Sequence, residues 1–272
     1  MSRTDWGHVL DRAAALHGEY DTRVTLRQLF YRLVAAELLP NTTSAYKGLS
    51  ARTAEARRRG TFPELSDRTR SIHCGQTFTG PDQARRWLAG IYRRDRTEGQ
   101  DVSVYVGVEK AGLVAQLEAW FSDYGLPVLA LGGYASQSFV DQVRRDVERQ
   151  GRPAVLLYGG DFDPSGEDID RDFVERSGCW SEVVRVALDA DQVDTYGLPP
   201  AMGKATDSRA SAFVARHGHL VQVELDALPP DELRGLYATA IAARWDDDTY
   251  RQTLATEVAE RAQLITNTGG AR

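Results

Sequence analysis

Residues 156–168 run Leu156-Leu157-Tyr158-Gly159-Gly160-Asp161-Phe162-Asp163-Pro164-Ser165-Gly166-Glu167-Asp168. A hydrophobic run of strand length ends in two carboxylates one residue apart. Past the end of a buried strand, two such acids point the same way and share a hard divalent cation well. Pro164 and Gly166 turn the chain into a following helix. A third acid holds a matching place upstream, where Glu109 closes the run Val102–Val108 and precedes a helical stretch from Ala111 to Phe121. Carboxylates at the C-terminal ends of parallel strands stand where open α/β sheets carry their chemistry. The alternative is structural, with Asp161 as a helix cap and Asp163 as a turn former.

The two stretches, Val108-Glu109-Lys110-Ala111 and Asp161-Phe162-Asp163-Pro164-Ser165-Gly166, resemble the two motifs of the Toprim domain, the metal-binding fold of topoisomerases, primases and some nucleases. The resemblance spans roughly residues 100–190. It implies an α/β, Rossmann-like parallel sheet and a Mg²⁺ site, with Mn²⁺ as a substitute, held by Glu109, Asp161 and Asp163.

The period of the sequence supports that alternation. Val102–Val108, Pro127–Leu131, Ala154–Tyr158 and Glu182–Ala187 are short runs rich in β-branched residues, separated by helical stretches. The 272 residues suffice for one or two domains with a substantial core. No apolar run is long enough for a bilayer, and the N-terminus lacks a signal-peptide pattern, so a cytoplasmic protein with no membrane partner is expected. Cys74 and Cys179 match no zinc spacing. His217 and His219 read as polar residues around the Gly218 loop rather than as a metal pair.

The net charge of −6 conceals an asymmetry. Residues 1–100 carry 17 Lys/Arg and 11 Asp/Glu, whereas residues 101–272 carry 16 and 28. A basic front half joined to an acidic back half suggests a polyanion-binding module beside a metal-binding one.

That front half, residues 1–75, reads as helices over Trp6–His17, Thr25–Leu38 and Asn41–Arg59 followed by an extended piece, Phe62–Leu65. Three helices with a short wing are the layout of a winged-helix DNA-binding domain. Residues 76–100 suggest one amphipathic linker helix, 101–190 the metal-binding core, and 191–272 a helical C-terminal extension. On the second helix Leu26, Leu29, Phe30, Leu33 and Val34 form an apolar stripe. Tyr31 lies off it, on the face of Arg27 one turn earlier. A tyrosine hydroxyl, with a pKa near 10, needs help to act as a nucleophile. A neighbouring arginine and a metal-bound anionic substrate supply some of it. The structural alternative is a surface tyrosine, or one that only stacks on DNA.

The stretch Thr25-Leu26-Arg27-Gln28-Leu29-Phe30-Tyr31 resembles the nucleophile motif shared by the DNA-cleaving A-type chain of topoisomerase VI and the meiotic double-strand-break transesterase, in which an arginine lies four residues before the attacking tyrosine. The order of domains and Gly132-Gly133-Tyr134 also match, and the length resembles the compact Mini-A forms. Phe30 departs from the tyrosine often found there. The resemblance implies that Tyr31 is the nucleophile, that Arg27 contacts the phosphate, and that a homodimer cuts double-stranded DNA with the tyrosine of one protomer working against the metal of the other. It further implies a separate ATPase (B-type) subunit for strand passage, since this chain shows no ATP-binding motif, and a nucleoid-associated location.

Arg57, Arg58 and Arg59, ending the third helix, are expected to contact phosphate, as is Lys110. Lys204 and Arg209 stand between phosphate contact and plain surface. Glu224 and Asp226 read as strand-end or capping residues, with the metal site as the alternative. Two other readings remain beside transesterification: a hydrolytic nuclease, in defence against phage or plasmid DNA, and a non-catalytic DNA-binding protein. A primase is disfavoured, because there is no zinc module.

Overall fold

A computed structural model describes residues 4–20, 24–66, 75–200 and 207–266. Its centre is a four-stranded, all-parallel sheet of β1 (Ser103–Val108), β2 (Val128–Ala130), β3 (Ala154–Gly159) and β4 (Glu182–Ala187), in the spatial order β2-β1-β3-β4. All residues of β1 and β3 are buried. Alternation sends Val104, Val106, Val108, Val155 and Leu157 to one face and Tyr105, Leu156 and Tyr158 to the other, so each face has its own apolar core. The chain is therefore an α/β protein with a Rossmann-like sheet.

Helices α5 (Val114–Phe121) and α10 (Pro230–Ala242) supply Leu117, Phe121, Leu233 and Ile241 to the first core. Helices α6 (Gln137–Gln150) and α7 (Pro164–Ser177) supply Val140, Val143 and Phe173 to the second. The region after β4 is thus part of the core, not an appendage. Tyr237 of α10, fully buried, donates its hydroxyl to Gly107 O at 2.7 Å. A Cβ at Gly159 would stand 2.5 Å from that hydroxyl, which is why a glycine ends β3.

The chain leaves β1 toward β2 on one side, then returns to place β3 on the other. The gap between the C-terminal ends of β1 and β3 is therefore the topological switch point of the sheet, where such folds open a crevice. Glu109 and Asp161 follow β1 and β3 closely.

The N-terminal helices are α1 (Trp6–Gly18), α2 (Leu26–Ala35) and α3 (Thr43–Arg58). Thr25 and Gln28 form a capping box that starts α2. Leu29, Phe30 and Leu33 are buried and Leu26 and Val34 pack on the same core, as the apolar stripe predicts. The expected wing, Phe62–Leu65, joins no sheet among the described residues. Pro63 lacks a donor, and the neighbouring Ser66 N–H bonds Val24 O at 2.8 Å. The linker region contains α4 (Pro81–Ile91), which lies along α11 (Asp247–Thr266). Glu257 of α11 is buried against Arg96, with Nη2 and Oε1 2.9 Å apart, and Arg261 pairs with it from the next turn at 2.6 Å. Two short helices, α8 (Ala190–Thr195) and α9 (Ala210–His217), complete the fold. Among the described residues no helix is long and apolar enough to cross a membrane.

Candidate functional site

The site starts with two loops. After β3, Gly160 leads into Asp161, and Asp163 caps α7 by accepting the Gly166 N–H at 2.6 Å. The cap is therefore Asp163 and not Asp161, to which the structural alternative assigned it. Asp161 is 4% exposed and turned toward β1, where its own N–H donates to Glu109 Oε2 at 2.9 Å. A side chain at position 166 would put Cβ 2.4 Å from Asp161 O and 3.2 Å from Glu109 Oε2. Gly166 therefore lets the start of α7 press against both acids.

A third segment completes the site. Phe162 and Val223 form an antiparallel bridge, exchanging N–H···O bonds of 2.9 and 3.0 Å. This lays Val223–Asp226 along the Asp161–Asp163 loop, and the Leu225 N–H donates to Asp161 Oδ1 at 2.9 Å. Glu224 and Asp226 then flank buried Leu225, as Asp161 and Asp163 flank buried Phe162. Glu224 joins the acidic cluster, the alternative to its strand-end reading. The signal was that shared acid–apolar–acid pattern.

Lys110, next to Glu109, folds into this cluster. Its ammonium bonds Asp161 Oδ2 and lies 2.7 Å from Glu224 Oε2. Glu224 Oε2 also accepts from Arg27 Nη2 at 3.2 Å, and Arg27 Nε is 3.6 Å from Asp226 Oδ2. Arg27 in turn sits 5.4 Å from the centroid of the Tyr31 ring. A single chain of contacts thus links Tyr31 to Asp161 through Arg27, Glu224 and Lys110. Gln28 supports the junction from below, donating to Gln116 of α5 at 2.5 Å. Beside it, Arg27, Phe30, Tyr31, Thr42, Thr43 and Tyr46 line an open cleft of about 280 Å³.

The electrostatics follow from burial. Burial and then the nearby Glu109 push Asp161 up to about 8. Burial raises Glu109 too, with Asp163 and Glu224 adding to the effect against Lys110. Burial opposes the charge on Lys110, but Asp161 and Glu224 outweigh it and hold the ammonium protonated. For Glu224, burial is overcome by Lys110 and Arg27, so its carboxyl is held below the ordinary range. Tyr31 is raised by burial and by Glu224, more than Arg27 and Lys110 lower it. Its hydroxyl is not activated in this state.

Among the described residues no three carboxylate, histidine or cysteine side chains stand as a ready metal-holding group. Glu109 and Asp161 meet, Asp163 is turned to its cap, and a lysine occupies the space between Asp161 and Glu224. The donor set nevertheless fits a hard cation in kind. All donors are carboxylate oxygens, and Glu109 and Asp161 each use one oxygen on a backbone N–H, an arrangement that orients ligands.

The remaining expected phosphate contacts lie elsewhere. Arg58 and Arg59 both pair with Glu55 at 2.8 Å, and Arg57 Nε donates to Thr53 O at 3.3 Å. Arg209 pairs with Asp207 at 2.8 Å and donates to Ser165 Oγ and Tyr134 Oη at 2.7 and 2.9 Å, so it lies over the start of α7. Lys204 and Cys74 lie outside the described residues. His217 Nε2 is 2.7 Å from Glu167 Oε1, and His217 ends α9 at the turn made by Gly218. In comparisons with known proteins, no family model matches this chain and no curated protein matches it.

Proposed function

We propose that the protein cleaves DNA with the help of Mg²⁺ or Mn²⁺, and that Tyr31 is the attacking group. The supporting observation is the connected set at the switch point of the sheet, where Glu109 and Asp161 meet and Lys110, Glu224 and Arg27 lead to Tyr31. In this reading the region from Asp101 onward is a Toprim domain, the N-terminal helices are a winged-helix domain, and the chain is a compact relative of the DNA-cleaving chain of topoisomerase VI.

Glu109, Asp161 and Asp163 would hold the cation, which when bound neutralises charge on the phosphoryl group and the leaving oxygen. Asp163 uses Oδ1 on its cap and would offer its other oxygen. Arg27 presents a guanidinium beside Tyr31 and grips a phosphate oxygen. The Tyr31 oxygen attacks phosphorus, the bond to the 3′-oxygen breaks, and the tyrosine becomes joined to the 5′ end. The tyrosine proton leaves the phenol and the 3′-oxygen departs as a hydroxyl. Two copies of the chain cut the two strands of a duplex. Arg57–Arg59, Lys204 and Arg209 extend the DNA track, with the arginines exchanging protein partners for phosphates. ATP-driven strand passage would fall to a separate ATPase, and the protein would work on the nucleoid.

Supercoiled plasmid incubated with Mg²⁺ tests the cleavage reading. Cutting that disappears in EDTA and in Asp161→Asn supports it, and cutting unaffected by both overturns it. A second reading, hydrolysis by water at the same carboxylates, is favoured by one observation: burial and Glu224 raise the pKa of Tyr31 in the resting chain.

A further inference from the structure

We infer that Lys110 is an internal competitor for the cation, so that a divalent ion enters the acidic pocket only when the Lys110 ammonium leaves it. The inference rests on the cation reading above. It follows from where the ammonium lies. Nζ bonds Asp161 Oδ2 and is 2.7 Å from Glu224 Oε2, and the side chain is 16% exposed. Asp161 Oδ1 is fixed by the Leu225 N–H at 2.9 Å, so Oδ2 is the oxygen left to offer a cation, and Lys110 holds it. An ammonium and a divalent ion cannot share that oxygen, because two positive charges a few ångströms apart repel strongly in a buried setting.

The choice of residue agrees. The chain has three lysines, Lys47, Lys110 and Lys204, among its 33 basic side chains. A guanidinium would fork across the carboxylates and stay. A lysine is a compact charge on a flexible stem, able to occupy an ion's place and swing away. The swing has a destination, because Arg27 and Lys110 share Glu224 Oε2, and a phosphate arriving at Arg27 offers the freed ammonium new oxygens. The resting pocket is thus closed on its own lysine.

The scarcity of lysines gives a direct test. The full chain is acetylated with a water-soluble succinimidyl ester in EDTA, in Mg²⁺ and in Mn²⁺, and peptides are quantified by mass spectrometry. Lys47, exposed on α3, is the internal reference. Metal should speed acetylation of Lys110 about tenfold, the equivalent of one charge-assisted hydrogen bond lost, and leave Lys47 unchanged. Mn²⁺ binding read by electron paramagnetic resonance gives a second arm. Lys110→Met should bind Mn²⁺ about tenfold more tightly than wild type by the same reasoning, and Asp161→Asn should bind it much more weakly. If Lys110→Met does not fold, the acetylation of the wild type stands by itself. Mn²⁺ binding that needs Asp161 while Lys110 stays protected overturns the competition but leaves the cation reading in place. Mn²⁺ binding indifferent to Asp161 overturns both.

Discussion

Lys110 and Glu224, 114 residues apart in sequence, meet with Nζ 2.7 Å from Oε2. This contact joins the loop after β1 to the segment that precedes α10. Because the same carboxylate oxygen accepts from Arg27, it also joins the sheet to the helix that carries Tyr31. The three elements of the site are therefore set by one carboxylate.

Glu224→Ala should consequently slow Mg²⁺-dependent cleavage. Removing a charge-assisted hydrogen bond costs about 1.5–3 kcal/mol, or about 10- to 100-fold in rate. Glu224→Gln keeps the acceptor shape and should fall between the alanine variant and wild type. Single-turnover cleavage of an end-labelled duplex measures the series.

Asp161→Asn should remove activity and, with it, the pH dependence of stability that this buried carboxyl gives the metal-free protein. Asp161 is raised from the ordinary carboxylate range to about 8, so the folded chain holds a proton that the unfolded chain releases. Stability of the wild type therefore declines as pH rises between the unfolded and folded values. Asparagine does not titrate; it can keep the Leu225 N–H bond but gives up the ion pair with Lys110, a loss that offsets the curve. The melting temperature of the variant minus that of wild type should therefore rise from about pH 4 to pH 8 and then level off. An equal margin at all pH values would count against the burial of this carboxyl as the cause.

Gly166→Ala places a methyl group where Asp161 O and the Glu109 carboxylate already stand, at 2.4 and 3.2 Å. Helix α7 must shift, at a cost of about 1–3 kcal/mol. Thermal denaturation should register the loss, and Mn²⁺ affinity should fall with it. A neutral result in both would show that the start of α7 does not need to sit so close to the acids.

Away from the site, Glu257 anchors α11. Its carboxyl is held below the ordinary range by the Arg96 hydrogen bonds, against burial. The folded pKa is depressed, so the contribution is complete above the ordinary carboxylate value and is lost as pH falls through the depressed one. Glu257→Ala leaves buried Arg96 without this partner and should cost about 3–5 kcal/mol in urea unfolding at neutral pH. The difference should shrink in acid.

The sheet was legible because β-branched runs bounded by turn residues are local signals. The expected strand Glu182–Ala187 is the observed one, and β1 and β3 differ from expectation by one residue at one end. Tyr31 beside Arg27 was legible from helical spacing, but Tyr31, expected off the apolar stripe, is half-buried against the same core and edge-on to Phe30. Glu224 was legible only as the alternative to a strand end, since its place depends on the bridge between Phe162 and Val223, and such long-range pairing leaves no local periodicity. Lys110 was expected to face phosphate; the chain folds it onto Asp161 and Glu224 because those acids lie closer in the fold than the sequence indicates. Apolar Phe62 and Leu65 suggest a wing strand, but Pro63 between them removes a donor, and the neighbouring Ser66 N–H bonds Val24 O without a strand forming.

The most direct test of the account is whether Tyr31 becomes joined to DNA. Radiolabelled duplex or supercoiled plasmid is incubated with wild type or Tyr31→Phe in Mg²⁺, quenched with SDS, and split into samples with and without proteinase K. Attack by Tyr31 predicts broken DNA that carries protein at its 5′ ends until the protease is added, and none of it with Tyr31→Phe. Protein-free breaks that persist in Tyr31→Phe and vanish in Asp161→Asn would contradict it and make water the attacking group.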